Sequence, residues 1–319
     1  MCIRDSAIDA RVRENAVAAM ASSRDHVAGR TEHNKLGLFT GWEDASLAKE
    51  GIAEAKRAGQ LLRAHGFAVD AVYTSWLSRA IETAWLALTP LDMVWLPIVK
   101  TWRLNERMYG ALTGLSKRMI QQEYGDDQFR RWRRGFDERP PPVSPFSPNY
   151  PGNDGRYTQY VHDLPVSFLQ TAIRSLAHGR YEIHHDLPKT ESLKDCMERT
   201  VPYYDLIERE SLDRGKNVLI ASSENAIRGL LMNLCDIPAD EVHGLEIPTG
   251  VPLLYHLDAD QKPLKDPRSF GLLSGAFLGD PEEIKAAQAK VAAQTKVHTD
   301  ESPAEVEERI LAYAQGKEN

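Results

Sequence analysis

The segment Asn217-Val218-Leu219-Ile220-Ala221-Ser222 is continuously apolar between polar ends, with no polar alternation. At that length a run of this kind reads as a strand buried on both faces. Such a strand has no side to give to water, so it belongs in a sheet covered above and below. Earlier segments supply the cover. Glu50 to His65 is amphipathic, with Ile52, Ala55, Leu61 and Leu62 on one face. Gly66 to Ser75 then reads as a turn and a second strand, and Ser78-Arg79-Ala80 opens another helix. Ala16 to Ser22 is the candidate first strand, and Met93 to Val99 reads as a further buried strand. Glu191 to Arg209 is a helix with a kink expected at Pro202. Strands alternating with helices at this spacing predict an α/β fold: a single domain over about residues 16–280, with a mainly parallel sheet sandwiched between helices.

Several function classes are excluded by composition. The 319 residues are 42% apolar and 27% charged, enough to bury a core. The net charge of −7 argues against nucleic acid as a partner. No apolar run approaches the roughly 18 residues of a membrane span. Cys2, Cys196 and Cys235 are odd in number and lack metal-ligand spacing, which favours free thiols and a reducing, cytoplasmic setting. His184-His185 would point apart on a strand or loop, so no metal is assigned there. Residues 1–15 read as a poorly ordered leader, so an organellar targeting segment stays possible. Pro281 to Ala293 and Pro303 to Gln315 read as polar helices in a C-terminal tail, 281–319.

The chemistry concentrates in Trp102 to Lys117, which packs a carboxylate, two guanidiniums, a phenol and an ammonium into one loop after an apolar run. Loops at strand ends face the ligand crevice of an α/β fold. Arg and Lys there suit a ligand with several anionic oxygens, and Glu106 suits a proton to be exchanged. Thr40 and Gly41 offer a hydroxyl and an amide in a turn, and Arg79 stands at a helix N-terminus, where anions are also attracted. Phe129 to Arg134 is the strongest basic cluster; a plain helix surface and an RNA-binding run are the alternatives to an anion clamp built from Arg133 and Arg134. Pro140 to Pro151 is too proline-rich to be a helix.

The stretch WRLNERMYGALTGLSK at 102–117 resembles the substrate loop of cofactor-dependent phosphoglycerate mutases, members of the histidine phosphatase superfamily. Further blocks extend the resemblance over roughly 16–293: LFTGWEDASL at 38–47, YTSWLSRAIETA at 73–84, FRRWRRGFDERPPP at 129–142, ESLKDCMERTVPYY at 191–204, IPTGVPLLYHLD at 247–258 and FLGD at 277–280. About 158–188 is longer than the family pattern. The resemblance implies that Asn34, Thr40, Gly41, Arg79, Tyr109, Lys117, Arg133, Arg134 and Asn225 hold the substrate, while Glu106 moves its proton. It also implies interconversion of 3- and 2-phosphoglycerate through a phosphohistidine, as in glycolysis and gluconeogenesis. The implied ligand is a small phosphorylated acid, with 2,3-bisphosphoglycerate as primer, no prosthetic group and a homodimeric assembly.

The two family histidines are absent. The first motif falls either on Ala21-Ser22-Ser23-Arg24 or on Val27-Ala28-Gly29-Arg30; the former is preferred because Ser22 ends an apolar strand. The second reads Ala221-Ser222-Ser223-Glu224-Asn225-Ala226-Ile227-Arg228, with Ser223 for the histidine and Glu224 for a glycine, while Asn225 and Arg228 remain. A serine hydroxyl is hardly ionised at neutral pH, and a phosphoserine ester is not easily discharged. Loss of a nucleophile typically costs on the order of a million-fold in rate. Three readings compete: a non-catalytic or very slow homologue that keeps its binding cleft, an active mutase with a relocated base at His33, and an interaction or structural subunit. The first is preferred.

Overall fold

A computed structural model describes residues 15–22, 36–159 and 187–293. Its strands are β1 (Asn15–Ser22), β2 (Ala71–Thr74), β3 (Ile98–Lys100), β4 (Val218–Ser223), β5 (Leu253–Leu257) and β6 (Ala276–Phe277). They form one sheet in the order β3-β2-β4-β1-β5-β6. The pairs β3/β2, β2/β4 and β4/β1 are parallel, whereas β5 and β6 complete the sheet antiparallel. The expected single α/β domain is therefore present.

The side-chain alternation of the two central strands explains the layers. Val17 and Ala19 of β1 and Val218 and Ile220 of β4 pack on one face, with Leu193 and Ile207 of α5 (Leu193–Glu210) and Ile227 of α6 (Glu224–Leu234). Ala16, Ala18 and Met20, with Leu219 and Ala221, face the other way onto α1 (Lys49–Ala64) and α2 (Ser78–Leu91). Every residue of β4 is buried, as its apolar run required. The alanines of β1 leave room for close-set helices: a Cβ at Gly59 of α1 would stand 2.1 Å from the Ala87 carbonyl oxygen of α2. The remaining helices are α3 (Lys117–Arg134), α4 (Gly155–Gln159) and α7 (Pro281–Ala293).

One expectation is corrected. Met93 to Val99 is not a buried strand: only Ile98–Lys100 pairs, at the end of the sheet, and Val94 and Trp95 are 56% and 71% exposed. Asp92 closes α2 in the left-handed conformation, at φ 57°, and Leu96 N–H bonds the Met93 carbonyl at 3.0 Å, so the run turns before it extends. Met93, Leu96 and Ile98 still pack on the α1/α2 core, which accounts for much of the run's apolar character. Pro202 lies inside α5, and residues 141–150 form no helix, as expected. The region 160–186 and the second tail helix fall outside the described residues.

Candidate anion-binding cleft

The cleft is built where two loops are laced together beside the sheet. Phe39 N–H donates to Leu115 O at 2.9 Å, Gly114 N–H to Phe39 O at 2.7 Å, and Lys117 N–H to Gly37 O at 2.9 Å. Gly41 turns the first loop with φ +53°, and a Cβ there would lie 3.1 Å from Thr113 Oγ1. Arg79, fully buried in the first turn of α2, donates to Gly41 O and Glu43 O at 2.9 Å each. Its guanidinium holds the loop's shape and is not part of the cleft wall.

The loop from Trp102 to Tyr109 is held from behind by a buried ion pair. Arg199 of α5 bonds Glu191 through Nε and a terminal nitrogen at 2.6 and 2.8 Å. The same guanidinium donates to the carbonyls of Arg103, Asn105 and Glu106 at 2.7, 2.9 and 2.8 Å. Glu191 also accepts from Met108 N–H at 2.8 Å. Desolvation opposes the charge on Arg199, but Cys196, Glu191 and Glu106 outweigh it and hold its pKa above the usual arginine value. Burial pushes the neighbouring Cys196 thiol up to about 12, so it is inert at neutral pH. Arg107 adds a second tie, donating to Trp132 O and Arg133 O at 2.7 and 3.1 Å and lying over the Tyr109 ring.

With both loops fixed, Thr40, Tyr109, Lys117, Arg133, Arg134 and Asn225 line one cleft, as the sequence predicted, joined by Phe39, Glu224 and Arg228. Glu106 is fully buried behind this wall; its Oε1 accepts from Asn225 Nδ2 at 2.9 Å and from Arg107 N–H at 2.7 Å. Asn225 Oδ1 in turn accepts from Arg228 at 3.0 Å. Thr40 Oγ1 is buried with no hydrogen-bond partner among the described residues. Arg134, near the C-terminus of α3, donates to Glu224 Oε1 at 2.9 Å and to Glu246 at 3.4 Å. Arg228 donates to the same Glu224 Oε1 and to Leu245 O at 3.0 Å. Burial pushes the Arg228 pKa below the ordinary arginine value, with Glu224 opposing the shift. The space left in the cleft is about 10 Å³, at the lower limit for one water.

The C-terminal ends of β1 and β4 lie side by side, with Ser22 and Ser223 as register partners. Ser223 is fully buried at the start of α6, and its Oγ has no hydrogen-bond partner among the described residues. No histidine is among the described residues lining the cleft. His33 and Asn34 lie outside the described residues, as do both stretches in which the first motif is sought beyond Ser22. Among the described residues no group of three or more His, Cys, Asp or Glu is placed to hold a metal, and no helix is long and apolar enough to cross a membrane.

Solved structures share this arrangement of strands and helices. A putative alpha-ribazole-5'-P phosphatase from Escherichia coli superposes with a TM-score of 0.54 at 17% identity, over 84% of this chain and 97% of that one. A mycobacterial glucosyl-3-phosphoglycerate phosphatase gives 0.51 at 16% identity, over 76% and 92% of the two chains. The alpha-ribazole phosphatase of Shigella flexneri gives 0.53 at 17%, over 83% and 98%. Residues 28–165 match the Histidine phosphatase superfamily, branch 1. The fold is the histidine phosphatase fold. Within it, the family match takes in α1, α2 and the cleft loops, while α5, α6 and β4 rest on the superpositions.

Sequence reasoning left three parts of this histidine phosphatase cleft without a role. Arg228 follows Glu224 by one helical turn, a spacing that signals an ion pair, yet it stood only as a remnant of a motif. Arg107 looked like a ligand contact and instead braces α3. The Glu191–Arg199 pair joins the segment before α5 to the helix itself, and only the fold turns both toward the Trp102–Tyr109 loop.

Proposed function

We propose that this histidine phosphatase-fold protein binds a small phosphorylated acid of the phosphoglycerate class and turns it over slowly or not at all. The observation that carries the reading is the convergence of Lys117, Arg133, Arg134, Arg228, Thr40 and Asn225 on one cleft whose strand ends present Ser22 and Ser223. Guanidiniums grip phosphate and carboxylate in bidentate fashion, which favours a ligand carrying both. A serine becomes a nucleophile only beside a base, and no described group touches Ser223 Oγ. Glu106, anchored through Asn225 and Arg107, would serve the substrate hydroxyl rather than the phosphorus. The mutase-like loop at 102–117 favours phosphoglycerate; the likeness to phosphatases favours hydrolysis of other phosphomonoesters, and assays must include both.

Calorimetric titration with 3-phosphoglycerate should give saturable binding that Arg133→Ala weakens by at least tenfold. Label from radioactive 2,3-bisphosphoglycerate should reach neither protein nor product at a rate near the order of 10 per second usual for enzymes. Absence of heat at millimolar ligand would overturn the binding reading and favour an interaction subunit, a role with which the narrow cleft is compatible. Rapid label transfer would restore the active mutase, with His33 the first position to mutate.

A further inference from the structure

We infer that Glu224 is an internal anion that occupies the ligand-oxyanion position of the cleft and thereby sets which ligands it accepts. The inference rests on the proposed anion-binding role and goes beyond it to the residue that limits affinity. One oxygen, Glu224 Oε1, accepts from Arg134 at 2.9 Å and from Arg228, the two cations that approach from opposite helices, α3 and α6. A shared acceptor between two guanidiniums is the arrangement a phosphate or carboxylate oxygen would take. Side-chain exposures of 9% for Arg134, 7% for Glu224 and 3% for Arg228 place this contact away from water, so it competes strongly with anything that must enter from solution.

Two further observations point to a ligand rather than to a salt bridge made only for stability. The carboxylate stands at the N-terminus of α6, where the helix already favours negative charge. Thr40 is 2% exposed and lines the same cleft, yet its Oγ1 has no partner among the described residues. Buried hydroxyls are normally satisfied, so this donor awaits an acceptor that the Glu224 carboxylate does not supply. The remaining volume of about 10 Å³ cannot take a phosphorus with four oxygens. Entry of a phosphomonoester therefore requires the Glu224 side chain to leave Arg134 and Arg228. A dianionic phosphate is penalised twice, by losing those cations to a competitor and by standing beside a like charge. A ligand presenting a monoanionic carboxylate is penalised less.

The test is calorimetric titration of the full chain with inorganic phosphate, then acetate, on wild type, Glu224→Gln and Glu224→Asp. Glutamine removes the charge at constant size; aspartate keeps the charge and withdraws it by one methylene, so it also serves should glutamine fail to fold. Thermal melting confirms that each variant is folded. The expected result is at least tenfold tighter phosphate binding by Glu224→Gln, a smaller gain by Glu224→Asp, and a larger gain for phosphate than for acetate. Equal phosphate affinity in wild type and the folded variants overturns the role of Glu224 while leaving the anion site standing. No phosphate binding by any of the proteins overturns the anion site itself, and with it this inference.

Discussion

Glu191 and Arg199 exchange hydrogen bonds at 2.6 and 2.8 Å, and between them they fix four backbone groups of the loop that carries Glu106 and Tyr109. Neither side chain lines the cleft, so their work is positional. Removing one partner of a buried pair leaves an uncompensated charge and costs roughly 3–5 kcal/mol. Glu191→Gln should therefore lower stability by about that amount in urea, with an unchanged slope, and loosen the loop. A loss below about 1 kcal/mol would show that the carbonyls alone satisfy Arg199. This pair also marks the limit of what single residues disclose before folding. Thr40, Lys117, Arg133 and Asn225 were legible because a hydroxyl, two cations and an amide stand at loop or helix ends, where ligands are met. Arg79 was legible as important, but what it holds was not. Its guanidinium grips the carbonyls of Gly41 and Glu43, a partnership that no local spacing announces.

The α5 helix begins with a device the sequence states openly. Ser192 caps it and Asp195 answers from the third position, each bonding the other's backbone N–H, with Asp195 also holding Arg139. Burial acts to raise the Asp195 pKa, but the hydrogen bonds from Arg139 and Ser192 outweigh it and bring the group down to about 2. Because the folded value lies below the ordinary 3.8, the charged form stabilises the fold fully above the unfolded pKa, and that contribution is lost as pH falls through about 2. Asp195→Asn should cost about 1 kcal/mol at neutral pH, and the gap from wild type should close as the pH is lowered toward 2 in denaturation curves. A gap that stayed constant with pH would assign the effect to shape rather than charge. Elements elsewhere were less openly written. The β4 run could be placed because six buried residues need cover on both sides. The run at 93–99 could not, since apolar residues that turn at the end of a helix and seal a core look the same as a strand until the sheet's edge is known.

At the scale of the whole molecule, the sheet order β3-β2-β4-β1-β5-β6 puts the first strand between neighbours that come late in the chain. Ala16 N–H bonds the Asn217 side chain across 201 residues, and the other flank of β1 is closed only by β5. During synthesis at ~5–20 residues per second, β1 thus waits roughly 10–40 s for its parallel partner, with both backbone edges open meanwhile. Contacts of such sequence separation are slow to form, and open apolar edges invite pairing with other chains. A fragment ending at residue 210 should accordingly aggregate and show no cooperative melting, and co-expression with residues 211–319 should recover soluble, cooperatively melting protein. Cooperative melting of the fragment alone would contradict this order of events. The cleft inherits the same schedule: its cations are on the chain before Glu224, so its charged wall is made first and its built-in anion arrives last.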